Sequence, residues 1–277
     1  LSPTHLAGAL RSGQLRPVTR GAFVDAAVWE QAEAHQRYVL TVAGVLRLRR
    51  GWAASHHAAA ALHGLPLFGV DLGRVDVSAP VTTSKRRGTR AVHRSTSPPT
   101  QTRWGPAVPA ALAAAQVAAT AGVEPGLVVL DPALKRGLCT TADVAAHLDE
   151  GHVRYGEPAA RTALGLADPT CESPGESRTR FLLRSLGFVV RTQVTVRDPT
   201  GGFVARVDFL VGDQVVVEFD GAVKYAGADG RDALVAEKLR EDRLRALGYR
   251  VVRLTWVDLE RPERVAHLVR NALAAAS

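Results

Sequence analysis

Acidic residues interrupt two apolar segments in the C-terminal third of the chain. Asp208 lies within residues 207–210, and Glu218 and Asp220 lie within residues 215–220. Strands disfavour Asp and Glu, and a buried carboxylate is costly unless it is paired or binds a metal. Side chains alternate along a strand, so Glu218 and Asp220 share a face. The alternative is that the acids pair with the many arginines or cap strand ends.

The turn between the two segments decides whether the acids meet. A two-residue turn would set Asp208 opposite Val217. A loop of odd length centred on Asp213 would set Asp208 opposite Glu218, with Cβ atoms about 4.5–5.5 Å apart. Two carboxylates at that spacing suit a hard cation with oxygen ligands. We predict the odd loop and a site for a hard cation on Asp208 and Glu218.

A third acid comes from the helix that precedes these strands. Glu172 and Glu176 are four residues apart near its start. If the helix packs across the sheet, one of them reaches the same point. Glu176 is the better candidate because Glu172 precedes the helix. Several acids on one hairpin and one helix favour a metal site over isolated salt bridges.

The elements around these acids form a recognisable order in the C-terminal domain. Hydrophobic periodicity and turn residues predict α-β-β-β-α-β-α, which makes a mixed sheet flanked by helices in an α/β (α+β) fold. The helices are predicted at 176–186, 233–247 and 262–275, and the strands at 189–196, 203–211, 215–220 and 249–255. The Pro- and Gly-bearing stretch 167–175 separates this domain, 172–277, from an N-terminal region, 1–168.

The N-terminal region begins with a helix and a basic hairpin. Ser2 and Pro3 are typical of a helix start, and residues 15–24 predict two short strands about Arg20 and Gly21. This pattern fits the end of a winged helix and a generic helix-hairpin edge equally well. Helices are predicted over 30–47, 55–61, 107–121, 131–136 and 142–148, and strands over 74–79 and 89–94 with a basic loop, 82–88, between the strands.

Charge points to a polyanionic partner. The chain carries a net charge of +8, and its first 100 residues hold 13 basic against five acidic residues. Such an excess favours nucleic acid, although abundant Arg and Ala also fit a GC-rich genome. Candidate phosphate contacts are Arg16, Arg20, Lys85, Arg86 and Arg87. A solvated loop is the alternative for residues 82–88.

Other residues exclude several classes. Cys139 and Cys171 belong to no CxxC pair, which argues against a zinc ribbon or disulfide framework and favours the cytoplasm. No apolar run is long enough to span a membrane, and residues 1–4 do not resemble a signal peptide. His56, His57 and His63 have no cysteine nearby, and adjacent histidines on a helix point apart. We interpret these three as helix and packing residues.

The C-terminal domain resembles a known nuclease family. Residues 172–177 (ESPGES), 205–209 (ARVDF), 217–221 (VEFDG) and 249–256 (YRVVRLTW) are similar to the DUF559-type domain. That domain is related to the very short patch repair endonuclease in the PD-(D/E)XK superfamily. The resemblance covers about 105 residues and implies a restriction-endonuclease-like fold that hydrolyses phosphodiester bonds. It places Asp208 as the central metal ligand, Glu218 as the second acid and Glu176 as the helix acid.

The sequence departs from that family at the expected lysine. Asp220 stands two residues after Glu218, where the superfamily commonly has Lys, and Val223-Lys224-Tyr225 stands where related domains often have His. Lys224 or the helical Lys238 is the candidate for the missing charge, with Lys224 favoured because it is nearer the acids. Lys238 also lies on a polar helix face that is otherwise typical of solvated surface.

The N-terminal region resembles more weakly the winged-helix region of AbiEi-type antitoxins. Residues 15–24 and 55–65 carry the likeness, which implies DNA binding. The two resemblances together predict a Mg²⁺-dependent DNA endonuclease of repair or of phage and mobile-element defence, with no small-molecule cofactor. Arg206 and Arg253 would bind flanking phosphates, or form interstrand salt bridges.

Two other functions compete with this hypothesis. The first is a non-catalytic DNA-binding regulator with a degenerate nuclease fold, which Asp220 in the lysine position favours. The second is a nuclease for RNA or damaged DNA, although no aromatic stacking set supports RNA.

Overall fold

The chain forms two compact units. The computed structural model describes residues 2–221 and 229–275, and its units are Leu1–Ala167 and Asp168–Ser277. Helices and sheets occur in both, so the fold is of the α+β class. The division falls within the Pro- and Gly-bearing stretch 167–175. Within the described residues, no helix has the length and apolar character needed to cross a membrane.

The first unit opens with the predicted helix and hairpin. Helix α1 (Pro3–Arg11) begins after Ser2, whose side chain accepts from the backbone N–H of His5. Strands β1 (Leu15–Thr19) and β2 (Ala22–Asp25) pair antiparallel. Their turn contains Gly21 at a φ of 90°, a conformation that favours glycine.

The prediction of one continuous helix over 30–47 is wrong. The structure has two helices there, α2 (Ala26–Gln31) and α3 (Ala34–Arg47). Ala32 between them is extended, and Glu33 forms a capping box with Gln36 that starts the second helix. A local cap therefore overrides a hydrophobic pattern that continues through the break.

The first unit contains a six-stranded sheet with strand order β5-β6-β4-β3-β8-β7. The sequence predicted β4 and β6, and it missed the two- and three-residue strands. The strands are β3 (Ala53–Ala54), β4 (Val75–Ala79), β5 (Lys85–Arg87), β6 (Arg90–Arg94), β7 (Thr100–Thr102) and β8 (Gly105–Ala107).

The basic segment predicted as a loop is partly a strand. Lys85, Arg86 and Arg87 form β5, which pairs antiparallel with β6 at the edge of the sheet. Lys85 and Arg86 are exposed. Charged side chains are a common way to protect a sheet edge from pairing with other chains, so this segment has a structural explanation beside the phosphate-binding one.

Alanine-rich helices complete the first unit. Ala58, Ala59, Ala60 and Ala61 are all buried, and such small side chains let helices approach closely. The predicted helix over 131–136 is the end of a longer one, and the last helix was not predicted. The helices are α4 (His56–Leu62), α5 (Ala110–Ala121), α6 (Val123–Lys135), α7 (Thr141–Asp149) and α8 (Glu157–Leu166).

The second unit confirms the predicted order of elements, with one short helix added. Its sheet has strand order β12-β11-β10-β9, antiparallel except for the parallel pair β11 and β12. The elements are α9 (Pro174–Ser185), β9 (Val190–Arg197), β10 (Phe203–Val211), β11 (Val215–Phe219), α10 (Asp229–Ala246), β12 (Arg250–Leu254), α11 (Trp256–Leu259) and α12 (Pro262–Ala274).

Two hydrophobic clusters hold this sheet against its helices. Leu183 of α9 and Val265 of α12 pack with Phe209 and Val217 of the sheet. Leu244 of α10 belongs to a separate cluster with strand residues that include Val216. The helices α9 and α10, which carry the predicted helix acid and Lys238, are thereby fixed to the strands that carry Asp208 and Glu218.

Candidate active site

The hairpin register brings Asp208 and Glu218 together. Phe209 pairs with Val217, Leu210 with Val216 and Val211 with Val215, around the three-residue turn 212–214. Continued by one residue, this register sets Asp208 opposite Glu218. The Asp208 carboxylate also accepts a hydrogen bond of 2.9 Å from the backbone N–H of Phe219. The predicted odd-loop register is confirmed.

The same row of the sheet continues on both sides of the acids. In the parallel pairing of β11 with β12, Glu218 aligns with Arg253. In the pairing of β9 with β10, the registered pairs on either side of Asp208 place Gln193 opposite it. Gln193, Asp208, Glu218 and Arg253 therefore form one line across the four strands.

Glu176 is held at the start of α9 by a capping arrangement. Its Oε1 accepts from the Ser173 hydroxyl at 2.9 Å, and its Oε2 accepts from the Glu172 backbone N–H at 2.9 Å. Gln193 Nε2 donates to the same Oε2 at 2.8 Å. Gln193 has a φ of 52°, unusual for a residue that is not glycine. These bonds fix the helix acid toward the row of the sheet that contains Asp208.

Burial disfavours the charged form of Asp208. The pKa of this carboxyl is raised from 3.8 to about 6, chiefly by burial and also by the neighbouring charges of Glu176 and Glu218, against the lowering effects of the Phe219 hydrogen bond and Arg240. Three acids thus influence one another electrostatically. A cation at this point would relieve the repulsion on Asp208, and the carboxylates of Asp208 and Glu218 are ligands of the type that a hard divalent ion takes.

Arg240 of α10 binds Glu218 with both ends of its guanidinium. The Nη1–Oε1 distance is 2.8 Å and the Nη2–Oε2 distance is 3.0 Å. The pKa of Arg240 is raised above its ordinary value, most by its hydrogen bonds to Glu237 and also by those to Glu218. Arg253 Nη2 in turn donates to Glu237 Oε1 at 2.6 Å and to Glu241 Oε2 at 2.8 Å. Glu218 is therefore already charge-compensated.

An open cavity of about 200 Å³ contains these groups. It collects the predicted residues Asp208, Glu218, Asp220, Arg206 and Arg253. Its lining consists of Arg206, Asp208, Glu218, Phe219, Asp220, Glu237, Arg240 and Arg253. Carboxylates and guanidinium groups therefore line the same cavity.

Among the other predicted residues, Glu176, Lys238, Arg16 and Arg20 do not line this cavity. Lys238 is exposed on α10 and does not line the cavity. Lys224 lies outside the described residues. Arg206 lines the cavity and donates to Glu172 at 2.7 Å. Arg16 and Arg20 are exposed on the first unit.

Sequence reasoning missed Arg240, Glu237 and Gln193. Glu237 and Arg240 are spaced i, i+3 on a helix, a pattern that indicates a side-chain pair, but their contact with Glu218 depends on helix-to-sheet packing. The contact between Gln193 and Glu176 depends on a backbone conformation that the sequence does not reveal.

Adjacent histidines on a helix were expected to point apart, but His56 and His57 both approach Asp76. His56 is the first residue of α4 and has a φ of 53°, so the helical geometry that separates adjacent side chains does not apply to it. His57 Nδ1 lies 3.5 Å from Asp76 Oδ2, and His56 lies in a group with Asp76 and His93. The packing interpretation suits His63, whose Nε2 is 2.8 Å from the Val108 carbonyl.

Comparison with known proteins gives limited similarity. No family model matches the chain, and no solved structure matches it. Its relatives include the uncharacterized proteins MT2308 and Rv2248 of Mycobacterium tuberculosis, from strains CDC 1551 / Oshkosh and ATCC 25618 / H37Rv. Each is 29% identical over 152 residues, which cover 54% of this chain and 55% of the relative. The chain therefore spans about half the length of the curated relatives it matches, and neither name states an activity.

Proposed function

We propose that this protein is a Mg²⁺-dependent DNA endonuclease whose second unit carries the chemistry. The observation that carries the proposal is the opposition of Asp208 and Glu218 across the β10–β11 hairpin, in a cavity that also holds arginines. The raised pKa of Asp208 supports it, because buried and mutually repelling carboxylates are typical of cation sites. The resemblance to the DUF559-type domain gives the substrate class.

Asp208 and Glu218 would hold the ion, and the fixed carboxylate of Glu176 would add negative charge behind them. A bound Mg²⁺ polarises the scissile phosphate and lowers the pKa of a coordinated water. Arg253 and Arg206 would bind flanking phosphate oxygens, and Asp220 would extend the acidic edge of the cavity.

Arg240 would supply the positive charge that the superfamily usually takes from Lys. It already lies against Glu218 in the cavity. A fixed guanidinium beside the reacting phosphate stabilises charge that develops on its oxygens. Lys224 remains a candidate for this role, and Lys238 is less favoured because it does not line the cavity.

The first unit would hold DNA mainly through phosphates. Its excess of basic residues and its exposed Arg16 and Arg20 support this, and such binding weakens steeply with salt. Repair and defence against phage or mobile elements are the processes that such an enzyme would serve. Cys139 and Cys171 are both buried and not joined in a disulfide, which suits the cytoplasm.

Cleavage of defined DNA tests the proposal. Supercoiled, linear, single-stranded and mismatched DNA would be incubated with Mg²⁺ or Mn²⁺ and with Asp208→Asn, Glu218→Gln and the control Asp213→Asn. Asp213 is in the same hairpin but its side chain is almost fully exposed. Cutting that needs metal and is lost in the first two variants but kept in the control is the expected result.

A non-catalytic DNA-binding regulator is the second candidate. The bidentate engagement of Glu218 by Arg240 favours it, because that carboxylate must leave its partner to bind metal. Salt-sensitive DNA binding with no cutting under either metal would favour this function and overturn the endonuclease.

A further inference from the structure

Three side chains of the types that bind metals lie together in the first unit, whereas the proposed active site belongs to the second. His56 begins α4, Asp76 lies in β4 and His93 lies in β6. One potential ligand atom of each lies within 4.8 Å of the other two. His93 Nε2 is 2.6 Å from Asp76 Oδ1, and the rings of His56 and His93 have centroids 4.2 Å apart. Three separate elements thus converge on one point.

Arg74 and His57 contact the Asp76 carboxylate on the oxygen that does not meet His93. It is 1% exposed, and its Oδ2 accepts from Arg74 Nε at 2.9 Å and lies 3.5 Å from His57 Nδ1. The other oxygen, Oδ1, is the one that meets His93. Carboxylate ligands of metals are commonly oriented by such outer partners. Arg74 and His57 therefore present one oxygen of Asp76 to the imidazoles.

His56 is placed at some conformational cost. Its φ of 53° lies in the left-handed region, which is uncommon for residues other than glycine and clusters at functional sites. Its backbone N–H donates to Gln116 Oε1 at 2.8 Å, and its Nδ1 lies 3.1 Å from the Ser55 hydroxyl. The surroundings thus hold the ring of His56 beside Asp76 and His93.

We infer that His56, Asp76 and His93 form a binding site for one divalent transition-metal ion, with Zn²⁺ as the first candidate. Two imidazoles and one carboxylate suit Zn²⁺, Co²⁺ or Ni²⁺, whereas Mg²⁺ prefers oxygen ligands alone. The metal would take the place of the direct contact between Asp76 Oδ1 and His93 Nε2. This site is independent of the proposed nuclease function.

The His93 edge of the site reaches solvent. The His93 side chain is 29% exposed, whereas that of Asp76 is 2% exposed. The His93 side is therefore the route of entry. Three protein ligands and one open position are the pattern of zinc sites that bind a water or a substrate.

Metal titration of the full chain tests this inference. The purified protein would be stripped with a chelator and titrated with Zn²⁺ by calorimetry and with Co²⁺ by visible absorption. We expect one equivalent to bind at the site, with the strong visible bands of four-coordinate Co²⁺. His93→Gln should weaken the affinity at least about 10-fold.

Two controls separate this site from other metal-binding groups. His147→Gln alters a second group of potential ligands, His147, Glu150 and His152, and Asp208→Asn alters the proposed Mg²⁺ site. Both variants should keep the Zn²⁺ affinity of the wild type. Unchanged affinity in folded His93→Gln, or loss of binding in His147→Gln, would overturn the inference.

His93→Cys keeps the test decisive if His93→Gln fails to fold. Cysteine is itself a zinc ligand, so this variant should still bind one Co²⁺ and should gain a near-ultraviolet thiolate-to-cobalt band. Binding without that band would show that residue 93 does not contact the metal, and would overturn the inference.

Discussion

The guanidinium of Arg240 donates to both carboxylate oxygens of Glu218, at 2.8 Å and 3.0 Å. The pair joins α10 to β11, and Glu218 is only 8% exposed. Removing one partner of such a pair leaves a charge with little solvation. The contact therefore contributes to the stability of the second unit, and it also competes with metal for Glu218.

Arg240→Gln should separate these two effects. We expect the free energy of unfolding without metal to fall by roughly 2 kcal/mol, because Glu218 loses its partner in a partly buried setting. Affinity for Mn²⁺ should rise, because the carboxylate becomes available. Both the stability and the Mn²⁺ affinity can be measured by urea unfolding with and without Mn²⁺. Hydrogen exchange in peptides of β10 and β11 reports unfolding of the second unit.

Arg245→Gln is the matched control for that variant. Arg245 pairs with Glu241 on the same helix, but its side chain is 61% exposed, so its loss should cost less than about 0.5 kcal/mol. Equal losses in the two variants, or weaker Mn²⁺ binding in Arg240→Gln, would contradict the competition between Arg240 and metal.

Asp208→Asn should stabilise the metal-free protein at neutral pH. The pKa of Asp208 is raised to about 6 in the folded state, from 3.8, so the folded state holds its proton more tightly than the unfolded state. Below pH 3.8 the carboxyl is protonated in both states and costs no stability. The free energy of unfolding falls as the pH rises from 3.8 to 6, and the full cost is present above pH 6. The gain in the variant should be about 1 kcal/mol at pH 7.5, because partial exposure screens the effect.

The pH dependence identifies the cause of that gain. The gain in the free energy of unfolding should shrink as the pH falls from 7 to 4. Urea unfolding followed by hydrogen exchange in peptides of β10 and β11 measures it. A gain that stays constant over this range would point to altered packing instead. Asp213→Asn, in the exposed turn of the same hairpin, should show no gain at either end.

The sequence was sufficient to predict the hairpin but not the charge network around it. Acids within strand-like segments and a three-residue turn fix which residues oppose each other, so Asp208 and Glu218 could be paired without coordinates. Arg240 is 22 residues beyond Glu218. Its position depends on how α10 packs on the sheet, which periodicity along a single helix does not specify.

Short strands and local caps set a second limit. The strands β3 and β8 have two and three residues, too few for a period-two pattern to appear. The break at Glu33 comes from a capping box inside a continuous hydrophobic pattern. The left-handed backbone of His56 also lies outside what residue type predicts, and that conformation invalidated the argument against a histidine cluster.

Salt dependence should reveal whether the first unit contacts phosphates. Replacing Arg16 and Arg20 together by Gln should lower the slope of log affinity against log salt by about 2, one for each lost phosphate contact. Fluorescence anisotropy of a labelled duplex at several salt concentrations measures this slope. Arg154→Gln, an exposed arginine outside the basic first third of the chain, should leave the slope unchanged. Unchanged slopes in all variants would remove Arg16 and Arg20 from the DNA interface.

Gly175→Ala should damage the site without altering any acid. A Cβ on Gly175 would overlap the ring of Phe219, and that ring packs edge-on against Trp256 with centroids 4.7 Å apart. The start of α9 would have to move, and Glu176 would move with it. We expect a loss of about 1–3 kcal/mol of stability and a loss of any metal-dependent cleavage.

Gly165→Ala is the control that distinguishes crowding from a general effect of alanine in a helix. Gly165 lies in α8, and a Cβ there meets nothing within 4 Å, so the substitution should stabilise by up to about 1 kcal/mol through helix propensity. Thermal unfolding and DNA cleavage of both variants would be compared with the wild type. If Gly175→Ala keeps wild-type stability and cleavage, the close approach of α9 to Phe219 is not what positions Glu176, and its hydrogen bonds with Ser173, the Glu172 backbone and Gln193 suffice.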